Sequence, residues 1–175
     1  MKLYNRTRCP DEVLAPLLTA AGRAVGTRTG KVIVKVTQGS RGGCQGETNS
    51  CAWVREFALA TRKYTKDGKL KRRLVATDGG WIRMTLPGPH PAYDPLDQAE
   101  RFYRLAVHEW AHVKDYQDGG KRFGDYNKRW ANRPHEMRAN RMCAEAMERE
   151  EAGQIKGRDE EILALAIWLE ERGER

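Results

Sequence analysis

The chain reads as an α+β fold in which a small antiparallel sheet in a basic N-terminal half packs on a helical C-terminal half. Three observations predict this. Apolar residues alternate at period two around Val32, Val34 and Val36, and recur at helical spacing from Phe102 onward. Glycine-containing turn signals separate short apolar runs between residues 51 and 86. Pro87, Pro89, Pro91 and Pro95 then break regular structure between the halves. At 175 residues, with 39% hydrophobic and 32% charged content, the chain fits one domain over 1–175, sheet-rich over 1–93 and helical over 94–175.

The first segment, Pro10 to Val25, places Val13, Leu14, Leu17, Leu18, Ala21 and Ala24 on one helical face. Pro16 lacks an amide proton, so a kink or a start is expected near it. After Gly26 and Gly30 a strand follows, with Val32, Val34 and Val36 on one side and Lys31, Ile33 and Lys35 on the other. Gln38 to Gly46 is glycine-rich without the GxxxxGK[ST] arrangement that cradles phosphate, and reads as a loop. Cys51–Tyr64, Leu70–Thr77 and Trp81–Leu86 read as an antiparallel meander, joined by Lys66-Asp67-Gly68-Lys69 and Asp78-Gly79-Gly80; Glu56–Thr61 also fits a helix. Trp53, Phe57, Tyr64, Trp81 and Phe102 are read as core, because aromatic residues favour half-buried sheets. On a nucleic-acid binder the same rings would stack on bases.

The helical half opens with Asp94 as cap, Pro95 in the first helical position and Asp97 in the first turn. Phe102, Leu105, Ala106, Val113 and Tyr116 continue the pattern until Asp118-Gly119-Gly120. A second helix is expected over Pro134–Glu151. A third is expected over Asp159–Glu171, with Ile162, Leu165, Ala166 and Leu169 on its apolar face.

The net charge of +8 is unevenly spread: residues 1–93 carry 17 Lys and Arg against 6 Asp and Glu, and residues 94–175 carry 15 against 18. A basic half attracts nucleic acid or an acidic partner, and a solvated face accounts for the same charges. The longest apolar run, Ile162 to Leu169, is too short to span a bilayer, so no membrane partner is expected. The opening residues MKLYNRTRCPDE hold no signal-peptide core, which points to the cytoplasm. Cys9, Cys44, Cys51 and Cys143 are scattered and read as free thiols, since Cys44 and Cys51 lack the spacing of a zinc knuckle.

Chemistry concentrates in His108-Glu109-Trp110-Ala111-His112, an HExxH motif within the first C-terminal helix. Histidines four apart on a helix sit about 6 Å apart along the axis and about 40° apart around it, so both imidazoles reach one ion. Glu109 projects near such a metal without having to ligate it, and suits the role of general base. A catalytic zinc takes three protein ligands and keeps one open position. Glu136 is the candidate third ligand, 24 residues past His112 at the start of the next helix, where a helical hairpin would bring it back to the motif. Asp118, ten residues after His108, and His135 are the alternatives. Tyr116, Tyr126, Arg133 and His135 are candidate donors to a developing oxyanion, with His135 favoured beside the ligand and Tyr116 in phase with the core. Asp115 or Asn140 could hold a histidine's distal N–H, and a solvated face explains Asp115 as well.

HExxH followed by a Glu on a later helix resembles the gluzincin group of zinc metallopeptidases. Glu136-Met137-Arg138-Ala139-Asn140, with Ala144 after it, resembles the E-x-x-A-N helix of small bacterial and phage ImmA/IrrE-type metallopeptidases. The resemblance covers roughly residues 93–150. SprT-like proteases are a second comparison, but they use a third His and none follows His135. The resemblance implies a minimal zincin fold, with an edge strand near the cleft, Trp81–Leu86, that holds substrate in extended form. It implies a zinc-dependent endopeptidase acting on an intracellular protein or peptide, with His108, His112 and Glu136 as ligands and Glu109 as base. The rival reading is a nucleic-acid-associated or protein-binding module whose zinc is structural or absent.

Overall fold

In the computed structural model, which describes residues 1–30, 32–39, 59–64, 70–75, 81–88, 93–118, 134–154 and 158–173, the chain begins with a strand, a helix and a second strand. β1 (Lys2–Arg6) leads into α1 (Asp11–Ala24) and then β2 (Ile33–Gln38). The helix carries the chain back to its starting end, so β2 lies parallel to β1, with Leu3 opposite Val34 and Asn5 opposite Val36. β5 (Trp81–Leu86) adds on the other side of β2, also parallel, giving the order β1-β2-β5. β3 (Leu59–Tyr64) and β4 (Leu70–Val75) form a separate antiparallel pair.

This corrects the expected antiparallel meander. Only its first hairpin is antiparallel; Trp81–Leu86 leaves that hairpin and joins β2 instead. The alternation within a strand fixes which face is buried and carries no mark of the neighbour's direction. Along β2 and β5 the inner face is Val34, Val36, Ile82, Met84 and Leu86, all fully buried. The outer face carries Tyr4, Lys35 and Arg83 in one row.

Pro16 neither starts nor ends α1, which begins five residues earlier. The ring sits on the exposed side of the helix, so the residue that cannot donate to the preceding turn lies away from the core. The helix ends in a Schellman turn: Gly26, at φ +70°, donates its N–H to Arg23 O, and Thr27 N–H reaches Gly22 O.

α2 (Pro95–Gln117) is the central element, packed against α1, α3, α4 and β5. Its start follows the sequence, since Asp94 Oδ1 accepts the N–H groups of Leu96 and Asp97 at 2.7 and 3.2 Å. Ala99, Phe102, Tyr103, Ala106, Val107, Trp110 and Val113 enter the core from it. α3 (Pro134–Glu151) runs antiparallel to α2, as the contacts at both ends show: Arg138 meets Asp115, and Glu150 accepts a hydrogen bond from Tyr103 Oη. Small Ala139 and Ala146 on its inner side allow close approach. α4 (Asp159–Gly173) closes the core with Ile162, Leu165, Trp168 and Leu169. No helix among the described residues is long and apolar enough to cross a membrane.

Cys9 is a buried free thiol, pushed up to about 12 by burial, and Cys143 is a half-buried free thiol against the core. The loop from 40 to 46, Cys44, Cys51, Trp53 and Phe57 lie outside the described residues, as do the side chains of Tyr64 and Trp81.

Candidate metal centre

His108 and His112 stand one turn apart on α2, their rings 4.7 Å apart and nearly perpendicular. Glu136 enters from the first turn of α3. The His108 and His112 Nε2 atoms are 3.1 Å apart, and each is 3.4 Å from Glu136 Oε2. Three atoms that each carry a lone pair do not crowd this closely unless protons or a cation lie among them. Tetrahedral coordination with bonds of 2.0–2.1 Å separates neighbouring ligand atoms by about 3.3 Å, close to the observed triangle. The donor set therefore fits a metal ion, and among the described residues these three side chains form the one group able to hold it.

The centre is open on one side. His108 is 23% exposed and His112 12%, whereas Glu136 is only 3% exposed. Burial opposes ionisation of Glu136, but the two imidazoles facing it hold its carboxyl down at about 2. The reverse holds for Glu109 beside His108. Burial pushes its carboxyl well above the ordinary range, and the negative charge of Glu136 adds to the effect. Glu109 Oε2 is buried with no hydrogen-bond partner among the described residues. A buried carboxyl oxygen without a partner, on the residue next to one member of a triangle close enough to hold a metal ion, marks Glu109 as a candidate functional group.

Neighbouring elements hold the motif helix from behind. Trp110 is fully buried under α1, and its backbone carbonyl accepts a 3.2 Å hydrogen bond from Thr27 Oγ1. Gln117, at the end of α2, exchanges two 3.0 Å bonds with the backbone of Arg28. These contacts tie the loop after α1 to the helix that carries both histidines.

Other candidates stand elsewhere. Asp118 is exposed at the end of α2 and pairs with Lys114 at 2.8 Å, one turn back along its own helix. Asp115 is neither on a solvated face nor aimed at a histidine's distal nitrogen: it is buried, and both its oxygens accept from Arg138. Asn140 is exposed. His135 lies in the first turn of α3 next to Glu136, with its side chain, like that of Tyr116, outside the described residues; Tyr126 and Arg133 lie outside them entirely. Arg138 was not among the residues singled out from the sequence. Its one signal there is its place two residues after Glu136.

No family model, curated protein or solved structure matches the chain.

Proposed function

We propose that the chain is a zinc-dependent peptide hydrolase of gluzincin type, with His108, His112 and Glu136 as ligands and Glu109 as general base. The observation that carries the reading is the ligand triangle, open to solvent on the histidine side, with Glu109 beside His108 and its buried Oε2 without a hydrogen-bond partner among the described residues. Imidazole and carboxylate donors in a three-ligand set suit catalytic zinc. A zinc ion held there supplies Lewis acidity toward a peptide carbonyl and toward water. Glu109 takes the proton that water loses and passes it to the leaving amine, a transfer favoured by a carboxyl whose proton affinity burial has raised. His135 and Tyr126 are the candidate donors to the oxyanion. Among the described residues β5 is an outer strand of its sheet and packs against α2, which gives an extended peptide a backbone edge to pair with.

The test is cleavage of a peptide library by zinc-loaded protein, with Glu109→Gln alongside. Hydrolysis is expected to fall about 100- to 10,000-fold in the variant, the usual weight of a general base, with zinc content unchanged. A library left intact by zinc-loaded wild type would overturn the reading.

One observation favours a second reading, a nucleic-acid-associated module. On the outer sheet face Tyr4 stands in one row with Lys35 and Arg83, flanked by the rows of Lys2 with Ile33 and Trp81 and of Arg6 with Thr37 and Thr85, and none of these rows carries a carboxylate among the described residues. Oligonucleotide binding through that face would weaken steeply with salt and survive Glu109→Gln. Binding indifferent to salt would remove this reading.

A further inference from the structure

We infer that Asp115 and Arg138 form a positioning pair that sets Glu136 against the two histidines, an inference that rests on the metal-centre reading above. The ligands come from two helices, and sixteen residues, 118–133, separate α2 from α3. A connection of that length does not by itself fix where the second helix begins beside the first. Something must set the height and roll of the first turn of α3 to well under an ångström, because metal bonds tolerate only about 0.2 Å of error.

Asp115 and Arg138 meet that need. Asp115 lies three residues after His112, on the next turn of α2, and Arg138 lies two residues after Glu136. Arg138 Nε donates to Asp115 Oδ1 at 2.7 Å and Nη2 donates to Oδ2 at 2.9 Å. One such bond would leave the helices free to pivot; two parallel bonds between planar groups fix distance and roll together. The Asp115 side chain is 8% exposed and that of Arg138 33%, so the acceptor side of the fork is shielded from competing water. Next to it, fully buried Ala139 brings α3 close to α2 without contributing a polar contact that could orient it. The packing sets how near the helices lie, and the fork sets where the first turn of α3, with Glu136, stands against the imidazoles.

The experiment uses the full chain, stripped of metal and titrated with Zn²⁺ against a chromophoric chelator, with Co²⁺ absorption as a report on coordination. Arg138→Met is expected to weaken zinc binding by about 10- to 100-fold, the range for outer partners of metal ligands, and to alter the Co²⁺ visible bands as the carboxylate ligand is lost. Arg138→Lys keeps the charge but not the fork, and should hold the fold while binding zinc several-fold more weakly than wild type. A merely structural pair would lower the melting temperature and leave the affinity of the folded protein within about twofold and the Co²⁺ spectrum unchanged; that result in either variant overturns the inference. Should Arg138→Met fail to fold, Arg138→Lys decides alone. Wild type that binds no zinc would sink the proposed function along with the pair, whereas tight wild-type binding with unaffected variants would sink only the pair.

Discussion

Gly22 of α1 lies flat against the Trp110 indole of α2: a Cβ added there would stand 3.2 Å from Trp110 Cε2 and 2.7 Å from Thr29 Cγ2. Trp110 is the middle residue of the motif, two positions from each histidine, so the spacing of α1 from α2 bears directly on the helix that carries both histidines. Gly22→Ala is expected to destabilise the fold by about 1–3 kcal/mol, the cost of overpacking a filled core outweighing the gain in helix propensity. Urea denaturation of the two proteins checks this. A variant as stable as wild type would mean that Thr29 simply moves aside.

Glu136→Ala removes one of the three proposed ligands and leaves the histidine pair intact. Purified wild type is expected to carry about one zinc per chain and the variant to lose most of it, since stable protein sites use three or more ligands. Elemental analysis of the two proteins is sufficient. Zinc retained by the variant would direct attention to His135.

Tyr103→Phe deletes the hydroxyl that donates to Glu150 and keeps the ring in the core. Glu150 is buried, its second oxygen 3.4 Å from Arg158 Nη1. The substitution should cost about 1–3 kcal/mol, the penalty for a buried acceptor left short of a donor. Zinc affinity should be unaffected, because Tyr103 meets the far end of α3.

Cys9 provides the pH prediction. Burial raises its thiol from 9.0 to about 12, with nearby Arg172 offsetting part of that rise. A group whose folded pKa is raised contributes stability that is fully present below its unfolded value and is lost as pH rises through the folded value. Melting temperature should therefore decline between about pH 9 and pH 12, and less steeply in Cys9→Ala. The same burial should spare Cys9 from alkylation at pH 8, as peptide mapping would reveal.

Much of this centre was legible before any coordinates. The approach of Glu136 to His108 and His112 is legible in their spacing on a helix and in the helical hairpin expected to bring the next helix back, the bounds of α3 match the helix expected there, and the start of α2 follows from capping. What escaped depends on partners distant in sequence. β1 is five residues long and half-exposed, with Leu3 packing against the core, so its own alternation is too brief to announce a strand. The parallel pairing of β5 with β2 joins segments separated by a hairpin, and nothing within either strand encodes it. Pro16 stays inside α1 on its exposed side, a matter of which side of the helix is buried. Asp115 reads from the sequence as one more charged helix residue; only the return of α3 shows that its partner is Arg138.

The ligands' distribution along the chain also bears on how the protein unfolds. An ion shared by His112 and Glu136 closes a loop of about 25 residues, and a crosslink of that span removes denatured-state entropy amounting to about 3.5 kcal/mol in the simplest polymer estimate. Cys9 and Cys143 are both reduced. A metal ion bound at the candidate centre would thus also be a reversible clasp between two helices, one that a chelator can open and a disulfide-reducing environment cannot.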